Sequence, residues 1–180
     1  MWIATQLDSL LPYGNMGKRQ HAVNISLPLP SRTPAGDAVS RLVIQIFQLN
    51  GRLLAAGDEL ARPAGQTSAR WQVLAAADHA PMTVAQIARA MGLARQSVQR
   101  VADLLATERL VAYVDNPRHL RAKLIQLRPE GLKALRAIQQ AQCMWADDLG
   151  TEVGEVHLKR ASAALDALSR ALLRRKGEMK

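Results

Sequence analysis

The sequence predicts a mainly α-helical protein carrying one small β-hairpin. Three observations predict it. The chain is rich in Ala, Leu, Arg and Gln, and aromatics make up only 3% of it, a composition that favours helices over sheets. Apolar residues recur at three- and four-residue spacing along several long stretches, as in helices that bury one stripe. Two short β-prone runs, 111–114 and 124–127, lie on either side of Asn116-Pro117, the arrangement of a hairpin.

The length, 180 residues, suits one compact domain, or one domain with an extension. Apolar residues form 48% of the chain, enough for a core built from Leu, Ala, Val and Ile. A single cysteine, Cys143, excludes a disulfide within one chain and fits a reducing cytoplasm. No apolar run approaches the roughly 18 residues needed to span a bilayer. The start, MWIATQLDSLLPYGNMGKRQ, lacks the basic region and apolar stretch of a secretory signal. A soluble, cytoplasmic protein with no membrane partner is expected.

Residues 1–34 hold four of the eight prolines and read as a largely irregular N-terminal extension, with a short helix near Ile3 to Leu11. Met1 and Met16 are both candidate starts. A long helix follows from about Asp37 to Ala61, with Leu42, Val43, Ile46, Phe47, Leu53, Leu54 and Leu60 on one stripe, and Pro63-Ala64-Gly65 ends it. Thr67 can cap a second helix, roughly Ser68 to Ala77. The third helix has the clearest signals. Thr83 and Gln86 form a capping box, Met82 and Ile87 a hydrophobic staple, and Gly92 a stop that takes positive φ. A fourth helix runs from about Arg95 to Glu108. After the hairpin, Pro129 opens a helix with Leu132, Leu135, Ile138 and Trp145 on a loose stripe, and Gly150 breaks it. A last helix, about Glu152 to Arg174, carries Ala161, Ala164, Leu165, Leu168 and Leu172 at heptad-like spacing.

Helix, tight turn, helix and basic-tipped hairpin, in the order found between Thr83 and Leu127, make a winged helix-turn-helix, a module that lays one helix in a DNA major groove. The charge agrees. Of a net +9, +6 falls between Arg89 and Arg136, where ten Lys/Arg face four acids. Cations concentrated in this way suit a polyanion, because each one near a phosphate releases condensed counterions. On a wheel of about 100° per residue, Ala94, Val98, Val101 and Leu105 share the face expected to be buried. Gln96, Gln99, Arg100 and Asp103 fall opposite. Gln and Arg are the side chains able to make bidentate hydrogen bonds to adenine and guanine edges, so Gln96, Gln99 and Arg100 are candidate base readers. Arg95 and Ser97 sit near the helix start, where phosphates are held. A solvated polar face is the competing reading of the same pattern. In the hairpin tip, Arg118, His119, Arg121 and Lys123 surround the Pro turn, and Arg118 and Arg121 are candidates for a narrow minor groove. The competing reading there is a basic loop kept exposed for solubility.

The segments WQVLAAA, TVAQIARAMGLARQSVQRV and NPRHLRAKLIQL followed by PEG, between Trp71 and Gly131, strongly resemble the multiple antibiotic resistance regulator (MarR) family of bacterial transcription factors. The likeness extends more loosely from Asp37 to Arg175. It implies the division 1–34 extension and 35–176 family domain, the winged module at 66–128, and helices at 37–61 and 129–175 that build a homodimer. It also implies a palindromic double-stranded DNA operator. The function implied is that of a repressor released by a small ligand, often phenolic or otherwise aromatic. A winged-helix dimer acting as an architectural or protein-interaction module, without ligand sensing, is the alternative. Three positions depart from the family pattern. The Ser that usually opens the reading helix is Ala94, which removes an N-cap worth about 1 kcal/mol. The Asp-x-Arg-Asp-x-Arg wing is here Asn116-Pro117-Arg118-His119-Leu120-Arg121, with both arginines and neither acid. The Thr that caps the helix after the wing is Arg128.

The family's peroxide-sensing branch uses a reactive Cys in the first long helix, where this chain has none. Cys143 lies in a later, apolar-patterned helix and is expected to be a buried structural thiol. Trp71, Tyr113 and Phe47 are the few aromatic candidates for lining a ligand pocket, and core packing is the expected role of each. An enzyme is not expected. His21, His79, His119 and His157 are scattered without metal-ligand spacing, and Asp147, Asp148, Glu152 and Glu155 read as solvated acids. Neither a Gly-rich phosphate loop nor a nucleophile elbow is found. No catalytic, metal or cofactor site is therefore expected, and the ligand-binding residues are left unassigned.

Overall fold

The structure is a computed structural model that describes residues 31–119 and 121–178. The expected short helix near Ile3 to Leu11, and most of the 1–34 extension, lie outside the described residues. The chain divides into two units, Met1–Arg41 and Leu42–Lys180. In the first, Thr33 caps a helix. Its Oγ1 accepts from Gly36 N at 3.1 Å and its carbonyl from Asp37 N at 3.0 Å.

That helix, α1, spans Pro34–Ala61 and passes into a 3-10 turn, Arg62–Ala64. Gly65 closes the turn at φ +68°. Then come α2 (Ser68–His79), β1 (Met82–Thr83), α3 (Val84–Met91), α4 (Arg95–Thr107), β2 (Val111–Val114), β3 (Leu124–Leu127), α5 (Pro129–Val153) and α6 (Glu155–Glu178). The sheet is antiparallel, in the order β1-β3-β2. Tyr113 of β2 and Met82 of β1 both lie opposite Ile125. The sequence pattern showed two of these strands. The third has two residues, too few for an alternation to be visible, and exists because β3 offers it an edge.

Caps set the ends of the helices. Thr67 Oγ1 accepts from Arg70 N. At α3 both halves of the capping box are made: Gln86 N donates to Thr83 Oγ1 at 3.3 Å and Thr83 N to Gln86 Oε1 at 2.8 Å. Gly92, at φ +65°, ends α3 as Leu93 N returns to Ala88 O at 2.9 Å. The same closure ends α4, where Leu110 N returns to Leu105 O at 2.9 Å. The left-handed position there is taken by Arg109, at φ +62°, which stores about 1 kcal/mol of strain at the junction of helix and hairpin. No side chain caps α4 at Ala94 or α5 at Arg128.

One aliphatic cluster packs the module. It draws Val73, Leu74, Ala76 and Ala77 from α2, Val84, Ile87 and Ala88 from α3, and Val98, Ala102 and Leu105 from α4. Val111, Ile125 and Leu135 add one residue each from β2, β3 and α5. The expected inner face of α4 needs two corrections. Ala94 is exposed, because it precedes the first turn and its backbone is extended. Ala102 fills the place beside Val98 and Leu105 and is fully buried.

Three more expectations are corrected further along. Gly150 does not break α5, which continues to Val153. The break falls at Gly154, where φ is +84°. Cys143 is exposed, because it projects about 140° around the helix from buried Ile138. Phe47 is 71% exposed and takes no part in the chain's own core. Trp71 and Tyr113 do pack against the cluster.

Two close approaches join elements. At Gly57 an added Cβ would lie 2.8 Å from Ser68 Oγ, and the neighbouring Asp58 accepts from Ser68 N at 2.6 Å. This ties the end of α1 to the start of α2. At Gly131 an added Cβ would lie 2.0 Å from the Leu110 carbonyl oxygen, which also accepts from Arg128 N at 3.0 Å. A backbone carbonyl cannot swing aside. Gly131→Ala is therefore expected to cost about 3 kcal/mol, at or above the usual range for overpacking. Urea denaturation measures this, and a loss below about 1 kcal/mol contradicts the contact.

Candidate nucleic-acid interface

The outward face of α4 is polar because its inward positions are taken by the cluster. Arg95, Gln96, Ser97, Gln99 and Arg100 are all exposed. Arg95, Gln96, Gln99 and Arg100, with Asp103, Leu104 and Thr107, line one open groove along the helix. Ser97 is not among the lining residues. A bare N-terminus at Ala94 leaves first-turn N–H groups of α4 facing outward without a side-chain partner, which is favourable for an anion.

The loop between β2 and β3 places Arg118, His119, Arg121 and Lys123 in solvent. Two tight turns shape it without the acids of the family pattern. Asn116 Oδ1 accepts from Arg118 N at 3.0 Å, an Asx turn. His119 N then returns to Asn116 O, and Ala122 N to His119 O, each at 3.1 Å. Asn116 thus fixes the backbone at Arg118.

Groove and hairpin meet through a side-chain network that sequence reasoning did not find. Tyr113, on β2, donates its hydroxyl proton to Asp103 Oδ1 at 2.7 Å. Gln99 Nε2 donates to Asp103 Oδ1 and to the Tyr113 hydroxyl oxygen, both at 2.9 Å. Partial burial, the hydrogen bond to Asp103 and the Asp103 charge push the Tyr113 hydroxyl well above its ordinary value, and the hydrogen bond from Gln99 opposes them. A faint signal was present. Val111 and Tyr113 share one face of β2, so the ring must lie over buried positions while its hydroxyl seeks a partner. Behind this network, Arg70 of α2 forms an ion pair and hydrogen bond with Glu108 at the end of α4. Among the described residues, no group of three or more His, Cys, Asp or Glu is placed to hold a metal ion. None of the described helices is long and apolar enough to cross a membrane.

A model of the MarR family matches residues 64–122, which span α2 to the hairpin. The uncharacterized protein Rv2011c of Mycobacterium tuberculosis (strain ATCC 25618 / H37Rv) is 35% identical over 142 residues, 79% of this chain and 97% of that protein. Among solved structures, the MarR family transcription regulator SP03579 aligns with a TM-score of 0.67 at 21% identity, covering 77% of this chain and 92% of its own. CouR from Rhodococcus jostii RHA1, bound to p-coumaroyl-CoA, aligns at 0.62 and 19% identity, covering 71% and 90%. The M. tuberculosis regulator MosR in complex with DNA aligns at 0.55 and 22% identity, covering 72% and 96%.

The Tyr113 network makes a pH prediction. The fold favours the protonated phenol, so its contribution is intact below the ordinary tyrosine value, about 10, and is lost as pH rises beyond it. Wild-type stability should therefore fall more steeply above about pH 10 than that of Tyr113→Phe. Equal alkaline slopes in chemical denaturation contradict the network.

Proposed function

The chain belongs to the MarR family and is a DNA-binding transcriptional regulator, and from that premise we propose that it is a homodimeric repressor of a palindromic operator, released by a small aromatic or phenolic ligand. The observation that carries the reading is the pairing of one polar helix face with one basic hairpin on a shared core. Gln96, Gln99 and Arg100 read base edges in the major groove. Arg95 and Ser97 hold phosphates at the start of α4, and Arg118 and Arg121 enter the minor groove beside it, flanked by His119 and Lys123. Residues 66–128 are the DNA-reading module, in a family domain that covers 35–176.

Selection of bound sequences from a random DNA pool tests this directly. Arg100→Ala should relax base preference at one position of each half-site, at a cost of about 1–3 kcal/mol. Lys123→Ala should weaken all sequences alike and reduce the salt slope by about 1. If both variants bind as the wild type does, this docking is wrong.

Apolar residues left in solvent support the dimer. From Leu42 onward, α1 buries only Gly57 and Ala61, and leaves Phe47, Leu49, Leu53 and Leu54 exposed. On the closing helices Met144, Val156, Leu172 and Leu173 are each more than half exposed. Faces of this kind call for a partner, and a second copy supplies one with the two-fold symmetry that a palindrome requires. The dimerisation helices are then 37–61 and 129–175. Sedimentation should give twice 19.7 kDa, and Phe47→Glu combined with Leu172→Glu should give a monomer that has lost most operator affinity. A monomeric wild type sinks the assembly.

For release, CouR in complex with p-coumaroyl-CoA supports an aromatic acyl or phenolic effector. A panel of phenolic acids and their thioesters should contain one that raises the melting temperature and weakens operator binding. If none does, the architectural alternative replaces ligand sensing.

A further inference from the structure

The Gln99–Asp103–Tyr113 triangle ties an exposed glutamine of α4 to the buried core. Tyr113 is its fixed corner. It sits on β2 opposite Ile125, which is fully buried, and packs against the aliphatic cluster. Its hydroxyl gives its one proton to Asp103 Oδ1 at 2.7 Å and accepts from Gln99 Nε2 at 2.9 Å. Asp103 and Gln99 are both exposed, so neither is held by packing. A carboxylate accepts hydrogen bonds and cannot donate them. The half of the Gln99 amide 2.9 Å from Asp103 Oδ1 is therefore its NH2 group, and the two ends of the amide are told apart. The two acceptors lie only 2.7 Å apart, so one N–H can serve both. The other N–H and Oε1 stay available.

A glutamine in solvent samples several rotamers, and fixing one of them costs free energy whenever a complex forms. Gln96 and Arg100 line the same groove but stand outside the triangle. Resting on the reading of α4 as the DNA-reading helix, we propose that Tyr113 is a positioning residue for Gln99. Acting directly and through Asp103, its hydroxyl orders the Gln99 amide before DNA arrives. Gln99 then meets its base pair as a preset group, whereas Gln96 and Arg100 are ordered on contact. Tyr113 needs no contact with DNA to do this. The strand at the base of the wing thereby takes part in base discrimination on α4.

Selection from a random DNA pool, repeated with Gln99→Ala, Gln96→Ala and Arg100→Ala, assigns a base pair to each side chain that reads one. Tyr113→Phe should then lower base discrimination at the Gln99 pair about two- to ten-fold, the cost of ordering one side chain. Discrimination at the Gln96 and Arg100 pairs should change by less than about two-fold, and the salt slope should stay that of the wild type. Asp103→Ala should flatten the Gln99 pair as well. Asp103→Asn keeps an acceptor oxygen and should restore most of the preference. Unchanged discrimination at the Gln99 pair in Tyr113→Phe means that the hydroxyl positions nothing, and the proposal is wrong. Equal losses at every assigned pair mean a loosened helix, and the proposal is again wrong. If Tyr113→Phe fails to fold, the two variants at exposed Asp103 decide, and no difference between Ala and Asn there overturns it. If Gln99→Ala flattens no position while the operator is still bound, the proposal fails and the docking on α4 stands. If no sequence is selected at all, both fail together.

Discussion

A cluster of thirteen buried aliphatic side chains is the constraint on which the rest of the module depends. The helices α2 to α5 and the strands β2 and β3 each give it one to four residues, so none of them has a private core. Full burial of one Leu or Ile contributes about 1.5–3 kcal/mol, and Leu74, Ile87, Leu105, Ile125 and Leu135 are each fully buried. Removing any one of them loosens several contacts together. The polar faces of α4 and the hairpin are free to carry chemistry because the opposite faces meet in this one place. With so few aromatics, the cluster relies on close interdigitation of small and branched side chains, as Ala76, Ala77, Ala88 and Ala102 illustrate.

Specificity of shape is added at the element ends. The α3 capping box and the matched closures after α3 and α4 satisfy backbone groups that would otherwise face a dry interior. Closure after α4 uses arginine where glycine would be relaxed, and closure after α3 uses glycine. The strained position lies between the helix proposed to read DNA and the strand that carries Tyr113. Tight turns at Asn116 and His119 then shape the hairpin tip by local hydrogen bonds. The wing is thus anchored to the core at its base and shaped by short-range bonds at its tip.

Features carried by neighbours in sequence were legible before any coordinates. Thr83 and Gln86 are three residues apart, and the stripe of Val98, Val101 and Leu105 repeats within one helix, so the caps of α2 and α3 and the period of α4 are legible in the sequence. Features that join distant residues could not. The Gln99–Asp103–Tyr113 triangle spans helix and strand, and Arg70 meets Glu108 across 38 positions. Strand β1 owes its existence to β3 and has no pattern of its own. Gly150 and Gly154 are equivalent as letters, and only the backbone distinguishes the one that must take positive φ. The heptad spacing in α6 and the stripe on α1 are apolar, yet a single chain buries little of either. Of the candidate site residues, all those on α4 and the hairpin lie where the pattern placed them, in solvent. The Gln99 amide meets partners, Asp103 and Tyr113, that the pattern did not reveal.

The junction of Gly57, Asp58 and Ser68 has a mechanical consequence. Helix α1 rests on the first residue of α2 with no room for a methyl group between them, and a carboxylate on α1 holds the backbone N–H of that same residue. A side chain larger than a hydrogen at position 57 would have to push Ser68, and with it the first turn of α2, aside. The spacing of the two helices at this joint is thus set by one residue that has no side chain.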